Sequence, residues 1–267
     1  MPISRANGVD IHYEVAGAGP ALVLIHAIPF DHTLWLYQAA RFSTWFKVIS
    51  VDLRGFGRSA KVTEDYSFED MARDVLGVMD DEGEARAVVM GCSIGSKLAL
   101  LLGGMAPERF SAVIQVGGNS GPQDFERRIA GYGSEPFTPY RRAHLRYGNR
   151  EGFGDTPLGL YLHDMFSERD PWHDPAAVGA VFKALSAGDA RGYLATYKPP
   201  ALIINGEFDG ARPRGEETAK LIPGVRHRVL AGAGHACMIE DPAGFDALVI
   251  DFLRDHGLMP DIKTSIA

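Results

Sequence analysis

Gly91-Cys92-Ser93-Ile94-Gly95 constrains this chain more than any other five residues. The segment follows an apolar run, Ala87-Val88-Val89-Met90, and precedes a run with helical character, Lys97-Leu98-Ala99-Leu100-Leu101-Leu102. A turn that converts a strand into a helix so abruptly brings its two limbs into contact. Only small residues then fit two positions either side of the apex. Glycine stands at both positions when Ser93 is the apex, so the Ser93 hydroxyl is expected at the end of a strand, above the edge of a sheet. An apex at Cys92 would put Met90 where a small residue is required. Cys92 therefore reads as a small core residue beneath the turn.

The rest of the chain supplies the sheet. Val9, Ile11, Tyr13 and Val15 alternate with Asp10, His12 and Glu14 after Asn7-Gly8, which predicts a half-buried strand following a turn. Residues 21–25 form a continuous apolar run, as expected of a strand covered on both faces. Short apolar runs recur at 48–51, 87–90, 112–116, 201–204 and 228–230. Helical spacing appears between them. It covers 68–79 (Phe68, Met71, Val75, Leu76 and Met79 on one face), 98–105, 216–221 and 245–253. This alternation predicts an α/β fold, a mostly parallel twisted sheet with helices on both faces. From Gly118 to Lys198, roughly eighty residues show no buried strand, too many for an ordinary connection. Helix-like pieces at 139–147, 158–166 and 176–185 suggest a helical lid, 118–198, inserted into a core made of 1–117 and 199–267. Pro199-Pro200 marks the return to the core.

Composition excludes several function classes. With 267 residues, 46% of them hydrophobic, the chain has enough apolar surface for one large globular domain. A net charge of -7 argues against a general nucleic-acid-binding surface. No apolar stretch reaches membrane-spanning length, and the first residues lack the basic and apolar regions of a signal peptide. A soluble, cytoplasmic protein acting on a small molecule, with no membrane or nucleic-acid partner, is the expectation. The two cysteines, Cys92 and Cys237, make no disulfide framework. Oligomeric state is not legible.

A serine hydroxyl is a poor nucleophile without a base within hydrogen-bond reach. His235 is the candidate base, in the glycine-rich loop Ala231-Gly232-Ala233-Gly234-His235 after a predicted strand. A histidine base needs an acid to fix its tautomer and stabilise the imidazolium. Asp209 follows the predicted strand at 201–204 and so lies at the carboxyl edge of the sheet, where ligand sites collect. Glu207, two residues away, is the rival acid. An oxyanion needs two backbone N–H donors. Ile94, next after the serine, is expected to supply one. Ile28, in the loop His26-Ala27-Ile28-Pro29, is expected to supply the other, since Pro29 has no N–H.

Taken together, these motifs resemble the α/β-hydrolase superfamily over nearly the whole chain. They are H-x-x-P at His26–Pro29, D-x-R-G-x-G-x-S at Asp52–Ser59, the turn at Gly91–Gly95, G-x-x-D at Gly206–Asp209, and G-x-G-H at Gly232–His235 followed by Glu240-Asp241-Pro242. The resemblance implies a Ser93-His235-Asp209 triad that opens an ester or lactone through an acyl-enzyme, with no metal or organic cofactor. Within the superfamily the chain is similar to carboxylesterases, enol-lactone hydrolases and cofactor-free perhydrolases. A carbon–carbon bond hydrolase acting on ring-cleavage diketone acids uses the same triad and stays open, as does a slow-turnover ligand receptor on the same fold. Haloalkane dehalogenases and epoxide hydrolases place an aspartate where Ser93 stands. One departure is Ala27, where the superfamily usually has glycine. If that glycine serves a positive φ, alanine strains or shifts the loop. His26 and the Asp52–Ser59 run read as loop-shaping rather than catalytic.

The predicted lid is basic on an acidic chain. Residues 121–150 hold six arginines against three acids. Arginine forks recognise carboxylates, so Arg141 and Arg142 are candidate contacts for an acidic substrate. A solvated helix face is the alternative reading. Trp35 and Phe137 are candidate lining residues, with Phe30, Tyr140 and Trp172 beside them; each is equally readable as packing.

Overall fold

Each apolar run of the sequence becomes a strand. A computed structural model describes residues 2–133 and 137–260, apart from the side chains of residues 137 and 144–147. It has one sheet of β1 (Ile3–Ser4), β2 (Ile11–Ala16), β3 (Ala21–Ile25), β4 (Lys47–Val51), β5 (Ala87–Cys92), β6 (Phe110–Val116), β7 (Ala201–Gly206) and β8 (Arg226–Leu230). The strand order is β1-β2-β4-β3-β5-β6-β7-β8. The β1–β2 and β2–β4 pairs are antiparallel and every other pair is parallel. The strand that ends at the Ser93 turn is therefore flanked on both sides, by β3 and β6.

The helices are α1 (Leu36–Phe42), α2 (Phe68–Asp81), α3 (Ile94–Met105), α4 (Glu126–Tyr132), α5 (Phe137–Gly148), α6 (Pro157–Ser167), α7 (Pro175–Ala187), α8 (Arg212–Ala219), α9 (Cys237–Glu240) and α10 (Pro242–Asp255). Local chemistry starts several of them. At α2, Ser67 Oγ accepts from the Asp70 N–H at 3.1 Å while Asp70 Oδ2 accepts from the Ser67 N–H at 2.9 Å. Such a reciprocal cap contributes about 1 kcal/mol. At α7, Asp174 caps the Ala176 and Ala177 N–H groups ahead of Pro175, which needs no partner for its nitrogen. The sequence reading found neither α1, α4 nor α9. They are short, and fewer than two turns carry little periodicity.

Side chains of the central strands divide by parity. Val23, Ile25, Ile49 and Val89 join a core under α2, α3 and α7, while Leu22, Leu24, Val48 and Val88 join a second core under α1, α9 and α10. The sheet is thus covered on both faces. Helix α3 is buried from Ile94 to Gly104. The edge strand β8 departs from expectation, with every residue half-buried or exposed. Trp35 is also placed differently from the reading above. It is fully buried in the second core, its ring centroid 6.5 Å from that of Phe245, and it does not line the cavity described below.

Between β6 and β7 the described residues form α4 to α7 with short 3₁₀ turns, and no strand. No helix among the described residues is long and apolar enough to cross a membrane.

Candidate active site

Ser93 joins β5 to α3 with φ 55° and ψ -112°, the only positive φ at a non-glycine residue among those described. Backbone proximity explains both glycines of the turn. A Cβ at Gly91 would strike the Gly95 carbonyl, and one at Gly95 would strike the Ile25 carbonyl and stand 2.7 Å from that of His26. The strained serine is held by its surroundings. Its N–H donates to the Val116 carbonyl at 2.8 Å, and its own carbonyl accepts from Ser96 at 3.1 Å and Lys97 at 3.2 Å. Cys92 is buried beside it as a free thiol, and burial pushes that thiol's pKa up, away from nucleophilic character.

His235 stands in the loop between β8 and α9. Its Nδ1 lies 2.8 Å from Asp209 Oδ1. Asp209 itself accepts from Asn205 Nδ2 at 2.8 Å and from the Ala211 N–H at 2.8 Å. Burial alone would raise the Asp209 pKa, but His235, Asn205 and the Ala211 N–H together hold it below the ordinary carboxylate value. Burial likewise works against a charged His235, and the Asp209 carboxylate outweighs it, so the imidazole pKa is raised above 6.5. The rival acid is placed elsewhere: Glu207 Oε2 accepts the Gly232 N–H at 2.9 Å, tying the strand end to the histidine loop.

Two supports of His235 escaped the sequence reading. A Cβ at Gly117, which has φ 61°, would come within 2.7 Å of the imidazole Cε1 and Nδ1. Only glycine lets the ring lie against the end of β6, and consecutive glycines at 117–118 after a strand were the available signal. Glu240 Oε2 accepts from the Gly234 N–H at 3.0 Å and the Arg150 N–H at 3.0 Å. Along with the His235 N–H, which donates to the Gly148 carbonyl at 2.6 Å, this fastens the histidine loop to the segment that follows α5.

The loop after β3 is organised by His26. Its Nε2 accepts the Leu53 N–H at 3.0 Å, so the proton sits on Nδ1, which faces the Ala27 carbonyl at 2.9 Å. Ala27 has no positive φ. The strain expected from replacing glycine there is absent, and the methyl group lies against the cavity. Asp52 shapes the neighbouring turn, accepting from His12 Nδ1 at 2.9 Å, His32 Nδ1 at 2.7 Å, the His32 N–H at 2.7 Å and the Arg58 N–H at 3.0 Å. His12, His32 and Asp52 are also the one group among the described residues with ligand atoms close enough to share a metal ion. Their spacings are those of hydrogen bonds, and the carboxylate already accepts four of them.

One cavity of about 250 Å³ brings the site together. Ser93, Ile94, Ile28, Asp209 and His235 all line it, along with Phe30 and, from the segment after β6, Phe125, Arg128, Phe182 and Leu185. Among the described residues, the cations on its wall are Lys97, Arg128 and Arg214. The expected substrate arginines are elsewhere. Arg141 is fully buried, with Nε 2.5 Å from Asp170 Oδ1 and Nη2 donating to Ser167 Oγ at 2.7 Å. Arg142 is exposed and faces Asp164 at 3.5 Å and Ser167 at 3.2 Å. Both are committed to holding helices together, and neither lines the cavity. Tyr140 packs on Tyr132, and Trp172 lies under the guanidinium groups of Arg58 and Arg169. The Phe137 side chain lies outside the described residues.

Comparison with known proteins agrees with this architecture. The enol-lactonase from Burkholderia xenovorans LB400 superposes with a TM-score of 0.87 at 28% identity, over 95% of this chain and 100% of the other. Est816, described as an N-acyl homoserine lactone degrading enzyme, superposes with a TM-score of 0.81 at 25% identity, over 94% and 100% of the two chains. An uncharacterized protein of Mycobacterium tuberculosis is 30% identical over 95% of this chain and 81% of its own length. Residues 22–248 match the family model described as the alpha/beta hydrolase family. With the doubly covered parallel sheet and the strand–serine–helix turn already described, that match across most of the chain makes the protein a member of the alpha/beta hydrolase family.

Proposed function

We propose that the protein is a serine hydrolase that opens a carboxylic ester or lactone through an acyl-enzyme on Ser93. The observation that carries this reading is the 2.8 Å contact between His235 Nδ1 and Asp209 at the cavity into which Ser93 also faces. With Nδ1–H donated to Asp209, His235 keeps Nε2 unprotonated and able to take the Ser93 proton. The serine oxygen then attacks the carbonyl carbon, and the N–H groups of Ile94 and Ile28 receive the oxyanion. Each such donor can lower the barrier by ~3 kcal/mol. The imidazolium returns its proton to the leaving alkoxide, which departs. A water molecule, deprotonated by the same imidazole, then attacks the acyl carbon; the bond to Ser93 Oγ breaks, the imidazolium proton returns to that oxygen, and the acid is released. Lactone as well as ester substrates are included because an enol-lactonase and a homoserine lactone degrading enzyme are among the relatives. Segment 118–198 acts as the lid, contributing Phe125, Arg128, Phe182 and Leu185 to the cavity wall.

Treatment with a fluorophosphonate probe followed by peptide mass spectrometry tests the nucleophile. Adduct on Ser93, absent from Ser93→Ala, is the expected result. An unlabelled Ser93 in folded protein rules the acyl-enzyme out. A panel of aryl esters and lactones then assigns the bond.

A further inference from the structure

The charges around the cavity are lopsided. Asp209 is the only carboxylate on its described wall, and that group is taken up by His235, Asn205 and Ala211. Against it stand Lys97, Arg128 and Arg214, on a chain whose net charge is -7.

Lys97 is the least expected of the three. It lies one helical turn after Ser93 in α3 and is 1% exposed. Its Nζ donates to the Leu185 carbonyl of α7 at 3.0 Å and stands 5.4 Å from the Phe68 ring centroid. An ammonium has three donors, and a single neutral carbonyl is a poor exchange for its hydration. Elsewhere this chain gives its buried cations a carboxylate: Arg54 has Asp74 at 2.6 Å, and Arg141 has Asp170 at 2.5 Å. Among the described residues no carboxylate is in ion-pair contact with Lys97. Asp189, which favours the Lys97 charge through space, is already bound by Arg191 at 2.6 Å. Burial lowers the Lys97 pKa to about 8, which still leaves most molecules charged at pH 7.

Arg128 is a second cation on the wall. It follows Phe125 by three residues in α4, and the Phe125 ring packs on Phe182 of α7 at 5.2 Å. Arg128 lines the cavity, is half-buried, and has no carboxylate partner among the described residues. Arg214 is exposed, and its Nη1 lies 2.9 Å from the side-chain amide of Gln123.

We propose that the cavity selects a substrate carrying a carboxylate in addition to its scissile carbonyl, and that Lys97 and Arg128 are the groups that recognise it. The proposal rests on Ser93 being the acyl-accepting residue only for which end of the molecule reacts. The carboxylate supplies what the wall lacks, an acceptor for unspent N–H donors, and a pair with the buried Lys97 is worth more than one at a surface.

The test compares phenyl hydrogen adipate with phenyl hexanoate, which match in length and differ in the terminal carboxylate. Calorimetric binding to Ser93→Ala protein is expected to favour the acid ester by at least tenfold at low ionic strength. Lys97→Met and Arg128→Met, each in that background, are expected to cut the preference at least threefold, and together to abolish it. The kcat/KM ratio of the two esters with Ser93 intact is expected to fall in parallel. Equal binding by the parent, or a preference that survives in the double variant, overturns the proposal. If Lys97 serves only to hold α7, Lys97→Met weakens both esters alike and leaves the ratio unmoved, which also overturns its assignment. Melting by circular dichroism confirms that each variant is folded; should Lys97→Met fail to fold, Arg128→Met decides on its own. A binding preference that persists while neither ester is hydrolysed would sink the hydrolase reading and leave the anion site standing.

Discussion

The Ser93 turn and the helical segment 118–198 face the same cavity, yet they are determined in different ways. At the turn, every constraint is local or comes from adjacent strands. Gly91 and Gly95 are small because backbone carbonyls stand where their Cβ atoms would go, and Ser93 is anchored to β6 next door. In the helical segment the decisive partners are distant. Arg141 is buried because Asp170 reaches it, and Lys97 is buried because α7 returns to cover it. A site can therefore carry chemistry that is fixed by short-range geometry under a wall whose selectivity depends on how helices pack.

The largest expected effect tests the first region. Ser93→Ala should reduce ester hydrolysis by about 10⁴-fold or more in steady-state assays, since members of such a triad act as a unit. Residual activity within tenfold of the parent would place the nucleophile elsewhere. Asp209→Asn should cost about 10³- to 10⁴-fold in kcat, through the wrong imidazole tautomer. Glu207→Gln should stay within about threefold, because Glu207 serves the Gly232 N–H. The reverse ranking would make Glu207 the acid.

The next effects set the two regions against each other. Gly95→Ala should lower stability by about 3 kcal/mol or more in denaturant titrations, as a methyl group meets the Ile25 and His26 carbonyls. Arg141→Met should cost a comparable ~3–5 kcal/mol by leaving Asp170 buried without its cation. Arg142→Ala should change stability by less than about 1 kcal/mol, as an exposed pair does. If Arg142→Ala instead weakens an acidic substrate selectively, the assignment of the anion contact to Lys97 and Arg128 is wrong.

The smallest effects are in pH. His235 has a raised pKa and must be neutral to act as base, so kcat/KM should climb with pH through a midpoint above 6.5. In the folded protein the charged imidazole is favoured by Asp209. That contribution to stability is present below pH 6.5 and fades as pH rises through the raised value. Asp209→Asn should shift the midpoint down. Lys97 acts in the other direction. Its charge is lost as pH passes about 8, with Asp189 favouring and Arg191 opposing the charged form. Any preference for an acidic ester should therefore shrink above that pH, and a flat preference to pH 9 would remove Lys97 from the recognition site.

Legibility in the sequence follows the same division. The strands from β2 to β8, the turn at Ser93 and the meeting of Asp209 and His235 at one sheet edge were readable because alternation at β2, short continuous apolar runs elsewhere and glycine spacing report on neighbours close by in the chain. Trp35 was misread because an aromatic after a strand looks the same whether it lines a cavity or meets Phe245, here more than two hundred residues away in sequence. The six arginines of 121–150 announced a charge imbalance but not its geometry. Arg141 and Arg128 are equivalent until Asp170 claims the one and the cavity opens beside the other. Lys97 gave no signal, since a lysine in a helix is ordinarily at its surface.

Helix α3 is enclosed from Ile94 to Gly104, and this bears on how such a protein diversifies. Re-aiming Ser93 would mean making room around a strand and a helix that are both buried. Arg128 and Phe182 line the cavity from helices outside that sheet. A substitution at either position therefore reshapes the cavity wall without entering the Ser93 turn.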